Sequence, residues 1–228
     1  MERGDFIDVS LFECAMQMPA TVAELLKELG DISAERILLH PSPGTATVKD
    51  VQLLCEKKDF GLFELIDGTL VRKAFGFRES VFTGTLLSFV YTFVKKNKLG
   101  VVVGPNAMLK FGPCLVRLPD LSFIAWDQFP GKKIPEEPVP TLFPNLAADI
   151  LRPGNTGKEM LRKRQDYFSV GSKLVWLIDP NQRLITVYDS VTKHYTLSET
   201  DTLDGGSVLP GFTLALRDLF AELDSHPG

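Results

Sequence analysis

Cysteine and histidine are scarce in this chain, and their scarcity removes several kinds of chemistry. Among 228 residues there are three of each. Cys14, Cys55 and Cys114 show no CxxC or Cys-to-His spacing, so they outline neither a zinc site nor a disulfide framework. A sparse, odd set of this kind fits a reducing compartment. His40, His194 and His226 stand alone, which leaves a histidine-based metal centre or a Ser/His/Asp triad without support. No apolar run approaches the length of a bilayer span. The N-terminus carries acidic residues where a signal peptide would be basic, and no long apolar stretch follows. The expectation is a cytoplasmic chain with no membrane partner. Positive charge is not in excess either: 25 Lys and Arg stand against 29 Asp and Glu, a formal net charge of −4. That counts against strong non-specific DNA binding but leaves room for an enzyme with a local basic groove. Internal repeats, low-complexity tracts and a glycine-rich phosphate loop are also absent.

What remains is a globular composition, 44% hydrophobic and 24% charged. It is enough for one sizeable core with a small appendage. Residues 1–58 read as the appendage, a small α+β extension. Thr21 and Glu24 form a capping-box pair that opens a helix over 22–29, and Gly30 stops it. A short strand is expected at 36–40, a turn at Pro41-Ser42-Pro43-Gly44, and a second helix from Thr47-Val48-Lys49-Asp50 through Glu56. This region carries no evident chemistry and reads as a packing or partner-contacting extension.

The main domain takes residues 59–228. Asp67-Gly68 between two apolar segments marks a hairpin. Helical spacing of Val81, Phe82, Leu86, Phe89, Val90 and Phe93 predicts a core-covering helix over 79–96. Strands are expected at 101–111, 115–125 and 146–151, with a proline-rich loop over 129–138 between the last two. A helix over 157–170 ends at Gly171, and Leu174-Val175-Trp176-Leu177-Ile178 reads as a strand buried on both faces. A hairpin over 184–197 and a tail ending in a helix at 216–223 complete an α/β domain, a mixed sheet flanked by helices.

Two carboxylates interrupt apolar strands. Asp120 precedes Leu121-Ser122-Phe123-Ile124, and Asp149 divides Leu146-Ala147-Ala148 from Ile150-Leu151. A buried carboxylate is costly unless it is paired or binds a cation. Two on neighbouring strands, followed by a helix that carries lysine, suggest a magnesium or manganese centre for phosphodiester hydrolysis. The Ile150 carbonyl could complete its ligands. On the helix, Met160, Leu161, Tyr167 and Phe168 define the buried face. Lys163 lies at its margin, whereas Lys158, Arg162 and Asp166 point to solvent. Arg164 also turns inward, as a substitute for Lys163 or as a salt-bridge partner. Plainer readings stand beside these: a strand-edge aspartate for Asp120, a snorkelling lysine for Lys163, a hairpin-surface carboxylate for Glu64, and core packing for Tyr167 and Trp176.

The order Pro119-Asp120, Asp149-Ile150-Leu151 and an inward lysine on the next helix is similar to the PD-(D/E)XK, or restriction-endonuclease-like, nucleases. The chain more specifically resembles the Uma-two family of restriction endonucleases. The matching segments are Phe63-Glu64-Leu65-Ile66-Asp67-Gly68-Thr69-Leu70, Leu118-Pro119-Asp120-Leu121-Ser122-Phe123-Ile124 and Asp149-Ile150-Leu151-Arg152-Pro153-Gly154-Asn155-Thr156. Lys163, Tyr167, Gly171, Val175-Trp176-Leu177-Ile178-Asp179-Pro180 and Leu209-Pro210-Gly211-Phe212 extend the match to about residue 223. The resemblance implies a restriction-endonuclease-like mixed β-sheet core, DNA as substrate, often a homodimer, and Mg²⁺ or Mn²⁺ held at Asp120 and Asp149. Glu64 matches a further acidic position, and Lys163 takes the role of the catalytic cation. Four departures stand out. Asp149 is shorter than the usual Glu, Leu151 stands where the motif has Lys, Arg152-Pro153 replaces a frequent Ser, and a histidine near the first long helix is missing. A catalytically inactive nuclease-fold protein that binds nucleic acid or protein is the alternative.

Overall fold

Alternation along two neighbouring strands decides where the acidic residues face. In the computed structural model, which describes residues 19–57, 61–74 and 76–224, the strand β7 (Leu146–Ile150) runs between β6 (Leu121–Ala125) and β8 (Leu174–Asp179). Cys14, His226 and the N-terminal acidic residues lie outside the described residues. Leu146, Ala148 and Ile150 join the core cluster built on α3 (Phe77–Asn97), with Phe82, Leu86, Val90 and Val94. Ala147, one residue out of phase, joins Met160 and Tyr167 of α4 (Gly157–Ser169) on the opposite face. The two-residue period of a strand therefore turns Asp149 toward α4. On β6, Leu121 and Phe123 lie in the α3 cluster and Ile124 in the α4 cluster, so the same alternation carries Asp120 to the α4 side.

The sheet that carries this arrangement has six strands in the order β10-β9-β8-β7-β6-β3, from β10 (His194–Ser198) and β9 (Leu184–Tyr188) to β3 (Gly100–Val103). Among the described strands only β7 and β8 pair in parallel, joined through α4. A second, antiparallel sheet has the order β2-β1-β5-β4 and comprises β1 (Phe63–Ile66), β2 (Thr69–Arg72), β4 (Leu109–Gly112) and β5 (Leu115–Arg117). Asp67 (φ 50°) and Gly68 (φ 69°) close β1 and β2 in a turn with both central residues left-handed, the expected Asp-Gly hairpin. The chain crosses from the second sheet to the first at Leu118-Pro119-Asp120, between β5 and β6.

The expected strand over 115–125 is thus two strands in two sheets, because Pro119 has no N–H for a ladder and interrupts the pairing. The strand expected over 101–111 is also two, β3 and β4, separated around Gly104-Pro105. Residues 36–40 form no strand; a short 3₁₀ turn over Ala34–Arg36 is followed by one bridge, Ile37 to Val71. A small extra sheet was not expected, β11 (Thr202–Gly205) with β12 (Leu209–Ala215), leading into α5 (Leu216–Phe220). Cys55 is free, whereas Cys114 is disulfide-bonded, so the reading of the cysteines as making no disulfide fails at Cys114. Among the described residues no helix is long and apolar enough to cross a membrane.

In the extension, α1 (Val22–Glu28) carries the Thr21–Glu24 capping box and α2 (Val48–Glu56) a second one from Thr47 to Asp50. Leu25, Leu29 and Ile32 pack on Ile66 and Val71, while Ala46 and Val51 pack on Phe63, Leu65 and Leu70. The extension therefore covers the β1–β2 hairpin.

Candidate active site

The seam between the two sheets, roofed by α4, gathers the charged side chains of this fold. Asp120 is fully buried at the crossover. Its Oδ2 accepts the backbone N–H of Ile150 at 2.8 Å, which ties it to the end of β7. Arg152, just past β7, donates Nη1 to Oδ2 and Nη2 to Oδ1, both at 2.8 Å. Lys73, just past β2, places Nζ 2.9 Å from Oδ1. Burial alone would raise the Asp120 pKa, but Lys73 and Arg152 outweigh it and hold the carboxyl well below the usual range.

Asp149 faces α4 and accepts Lys163 Nζ on Oδ1 at 3.1 Å and Tyr167 Oη–H on Oδ2 at 2.6 Å. Glu64, 1% exposed on β1, shares Lys163 at 3.3 Å and accepts Arg117 Nη1 at 2.8 Å and the Leu118 N–H at 3.1 Å. Burial pushes Glu64 up, but Lys163, Arg117 and Lys73 reverse this and bring it down to about 2. Arg117 in turn binds Asp166 of α4 through Nε at 2.9 Å and Nη2 at 2.5 Å.

Burial works against the charge of Lys163, yet Asp149 and Glu64 more than compensate and raise its pKa. Lys163 is therefore a permanent cation, suited to stabilising negative charge and unsuited to taking up a proton. Lys73 is the opposite case, because burial dominates and lowers its pKa despite Asp120. Tyr167 is driven upward by burial, then by Asp149 and Glu64, and stays protonated as a donor.

Of the four residues singled out in the sequence, Glu64, Asp149 and Lys163 thus share one buried ion cluster, and Asp120 sits in an adjacent one with Lys73 and Arg152. A family model described as "Putative restriction endonuclease" (Uma2) matches residues 49–217, well over half of the chain. The chain belongs to the Uma2 family. Its fold is similar to a crystal structure from Anabaena variabilis described as a putative nuclease of DUF820. That match has a TM-score of 0.66 at 19% identity and covers 78% of this chain and 98% of the other. No curated protein matches.

The Uma2 chain has hard oxygen donors, which is the right chemistry for Mg²⁺ or Mn²⁺. The arrangement is not open to such an ion. Asp120 has four donors on its two oxygens, and Asp149 and Glu64 have their oxygens committed to Lys163, Tyr167, Arg117 and Leu118. Among the described residues no group of three or more His, Cys, Asp or Glu side chains is placed to hold a metal. The oxygens that the resemblance assigns to a divalent ion are paired with Lys73, Arg152, Lys163 and Arg117.

Sequence reasoning missed those cations. Arg117 sits within Leu115-Val116-Arg117-Leu118, and a charge inside an apolar run was the available signal. Lys73 and Arg152 follow strand ends and carry no periodic mark. Asp166, expected in solvent, is buried because its turn of α4 lies over Arg117. Arg162 joins it at 3.3 Å and binds Asp67 at 2.6 Å instead of pointing away. Leu161, expected inside, is 38% exposed. Among the described residues Arg164 pairs with no carboxylate; its guanidinium lies 4.0 Å over the Tyr188 ring.

Proposed function

We propose that this chain is an endonuclease acting on DNA, with its hydrolytic centre at Asp120, Asp149, Glu64 and Lys163. One observation carries the reading. Asp120 at the head of β6 and Asp149 on β7 turn to the same side of the sheet, and the expected lysine reaches Asp149 at 3.1 Å while also contacting Glu64. Outside this centre opens a cleft of about 530 Å³, lined by Arg152, Arg164, Asn155, Thr156, Gly157 and Gln182. The N-terminus of the 13-residue α4 and the Arg164 guanidinium line this cleft and suit a phosphodiester backbone. Lys163, kept charged, would offset negative charge at the scissile phosphate.

Mg²⁺ or Mn²⁺ is the expected ion, with Asp120, Asp149 and Glu64 as its ligands. A homodimer is the expected assembly, to be checked by sedimentation velocity. The second reading, a nuclease-fold protein that binds without cleaving, is favoured by the grip of Arg152 on Asp120.

Incubating plasmid and oligonucleotide substrates with Mg²⁺ or Mn²⁺ separates the two. Cleavage by the native chain, absent in an Asp120→Ala, Asp149→Ala variant, is the expected result. Equal, background-level cleavage by both would sink the enzyme reading.

A further inference from the structure

Helix α3 buries Phe82, Leu86, Val90 and Val94 in the core of the six-stranded sheet. Its opposite face lacks what a solvated helix face normally carries, because no charged residue stands from Ser80 to Val94. Along that face run Phe77, Val81, Gly84, Ser88, Tyr91 and Lys95, all exposed, with Phe77 at 88%. Their spacings are four, three, four, three and four. At 3.6 residues per turn this keeps all six within about 40° of one line. A single exposed apolar side chain needs no explanation, but an uncharged stripe of this length does.

The pattern reads the same in both directions, with Leu86 at its midpoint. Two copies of α3 laid antiparallel across a two-fold axis therefore set Gly84 against Ser88, Val81 against Tyr91 and Phe77 against Lys95. Small residues meet at the centre, where the helices must come closest. A Cβ on Gly84 would meet no atom of its own chain within 4 Å, so the surface there is open. The ends match as well. Tyr91 and Lys95 form one wall of a groove of about 320 Å³, closed by Val101 and Val102 of the edge strand β3 and by Trp126 and Ile134. The Lys95 Nζ lies 5.4 Å from the centre of the Tyr91 ring. An apolar slot with a cation at its rim suits an aromatic ring.

We propose that α3 is a self-complementary dimerisation face covered by a second copy of this chain, with Phe77 of each copy seated in the groove beside Lys95 of the other. The inference rests on the homodimer proposed above and names its interface. Two features single out a second copy. The stripe is palindromic, and knob and groove lie at equal distances on either side of Leu86. A partner of different structure requires neither. Closing the face also desolvates no carboxylate of the stripe, and Lys95 stays at the rim, so the usual cost of burying charge does not arise.

The test is sedimentation velocity of the full chain over a concentration series, for the native protein and three variants at exposed positions. Ser88→Glu brings two like charges together near the axis and should weaken association by about a hundred-fold or more. Phe77→Ala empties both grooves and should weaken it by about ten-fold or more. Leu53→Glu, the same charge on the exposed side of α2, should leave it unchanged. Oxidative cross-linking is a second measurement that decides should Ser88→Glu not fold. Mixed Gly84→Cys and Ser88→Cys chains, each also carrying Cys55→Ser, should form a linked dimer that neither forms alone, because only residues set opposite each other come within disulfide reach. A dimer that survives both Ser88→Glu and Phe77→Ala overturns this inference and leaves the homodimer on another face. So does an equal loss with Leu53→Glu, or a mixture that cross-links no better than its separate chains. A native chain that stays monomeric throughout the series sinks the homodimer reading and this inference with it.

Discussion

Arg117 is the residue on which the buried network turns. It is 1% exposed and touches Glu64 on one side and Asp166 on the other. Replacing a whole buried ion cluster by apolar groups can be neutral, but deleting one partner leaves an uncompensated charge in low dielectric. Arg117→Met should therefore destabilise the chain by about 3–5 kcal/mol in urea unfolding. A loss below about 1 kcal/mol would show that water reaches Glu64 and Asp166 after all. Glu64 makes a companion prediction with pH. Its carboxyl lies at about 2 in the folded chain against an ordinary 4.5. A depressed folded value means that its stabilisation is full above the unfolded value and disappears as pH falls from about 4.5 through about 2. The urea midpoint should fall across that window, and Glu64→Gln should make the fall shallower. Identical slopes for the two proteins would assign the acid sensitivity to other carboxylates.

Elements were legible where local chemistry agrees with tertiary packing. The capping boxes and the Asp67-Gly68 hairpin form as their residues direct, and so does the Phe82, Leu86 and Val90 part of the α3 stripe, whereas Val81 and Phe89 of the expected stripe are exposed. Pro119 and the Gly104-Pro105 pair were visible too, yet each lies inside a longer apolar run whose β propensity masked the break. The polar strand β11 offered no apolar alternation and exists through its pairing with β12. At the candidate site, Asp120 and Asp149 were readable because a carboxylate in an apolar strand demands compensation. Which cations compensate them depends on how two sheets and a helix meet, and no periodicity encodes that. Gly68 tests the hairpin directly. It has φ 69°, and a Cβ there would lie 2.6 Å from the Gly44 carbonyl oxygen. Gly68→Ala meets backbone strain and a backbone neighbour together, so a loss of about 1–3 kcal/mol is expected in thermal or urea unfolding. A change within about 0.5 kcal/mol, as at an ordinary surface position, would show that the Gly44 turn gives way freely.

At the scale of the whole molecule, the extension reaches the candidate site as well as the hairpin. The Arg36 guanidinium grips Glu159 of α4 with Nη1 at 3.0 Å and Nη2 at 2.6 Å, and Nε donates to the Arg72 carbonyl at 2.9 Å. Thr156, the N-cap of α4, donates its hydroxyl to the Gly30 carbonyl, and a Cβ on Gly30 would lie 2.7 Å from the Glu159 backbone. The start of the helix that carries Lys163 is thus held by residues from the extension, and Arg36 and Glu159 both line a small inner cavity with Asp149 and Lys163. A double-mutant cycle measures this tie. Arg36→Ala should cost more than Glu159→Gln, since it leaves a buried carboxylate with Asn155 as its remaining side-chain hydrogen-bond partner. The coupling between the two changes in urea unfolding should be about 1–3 kcal/mol, the range of close, buried charged pairs. A coupling below about 0.5 kcal/mol, as for independent sites, would mean that the extension is held by its apolar clusters alone and does not set the position of α4.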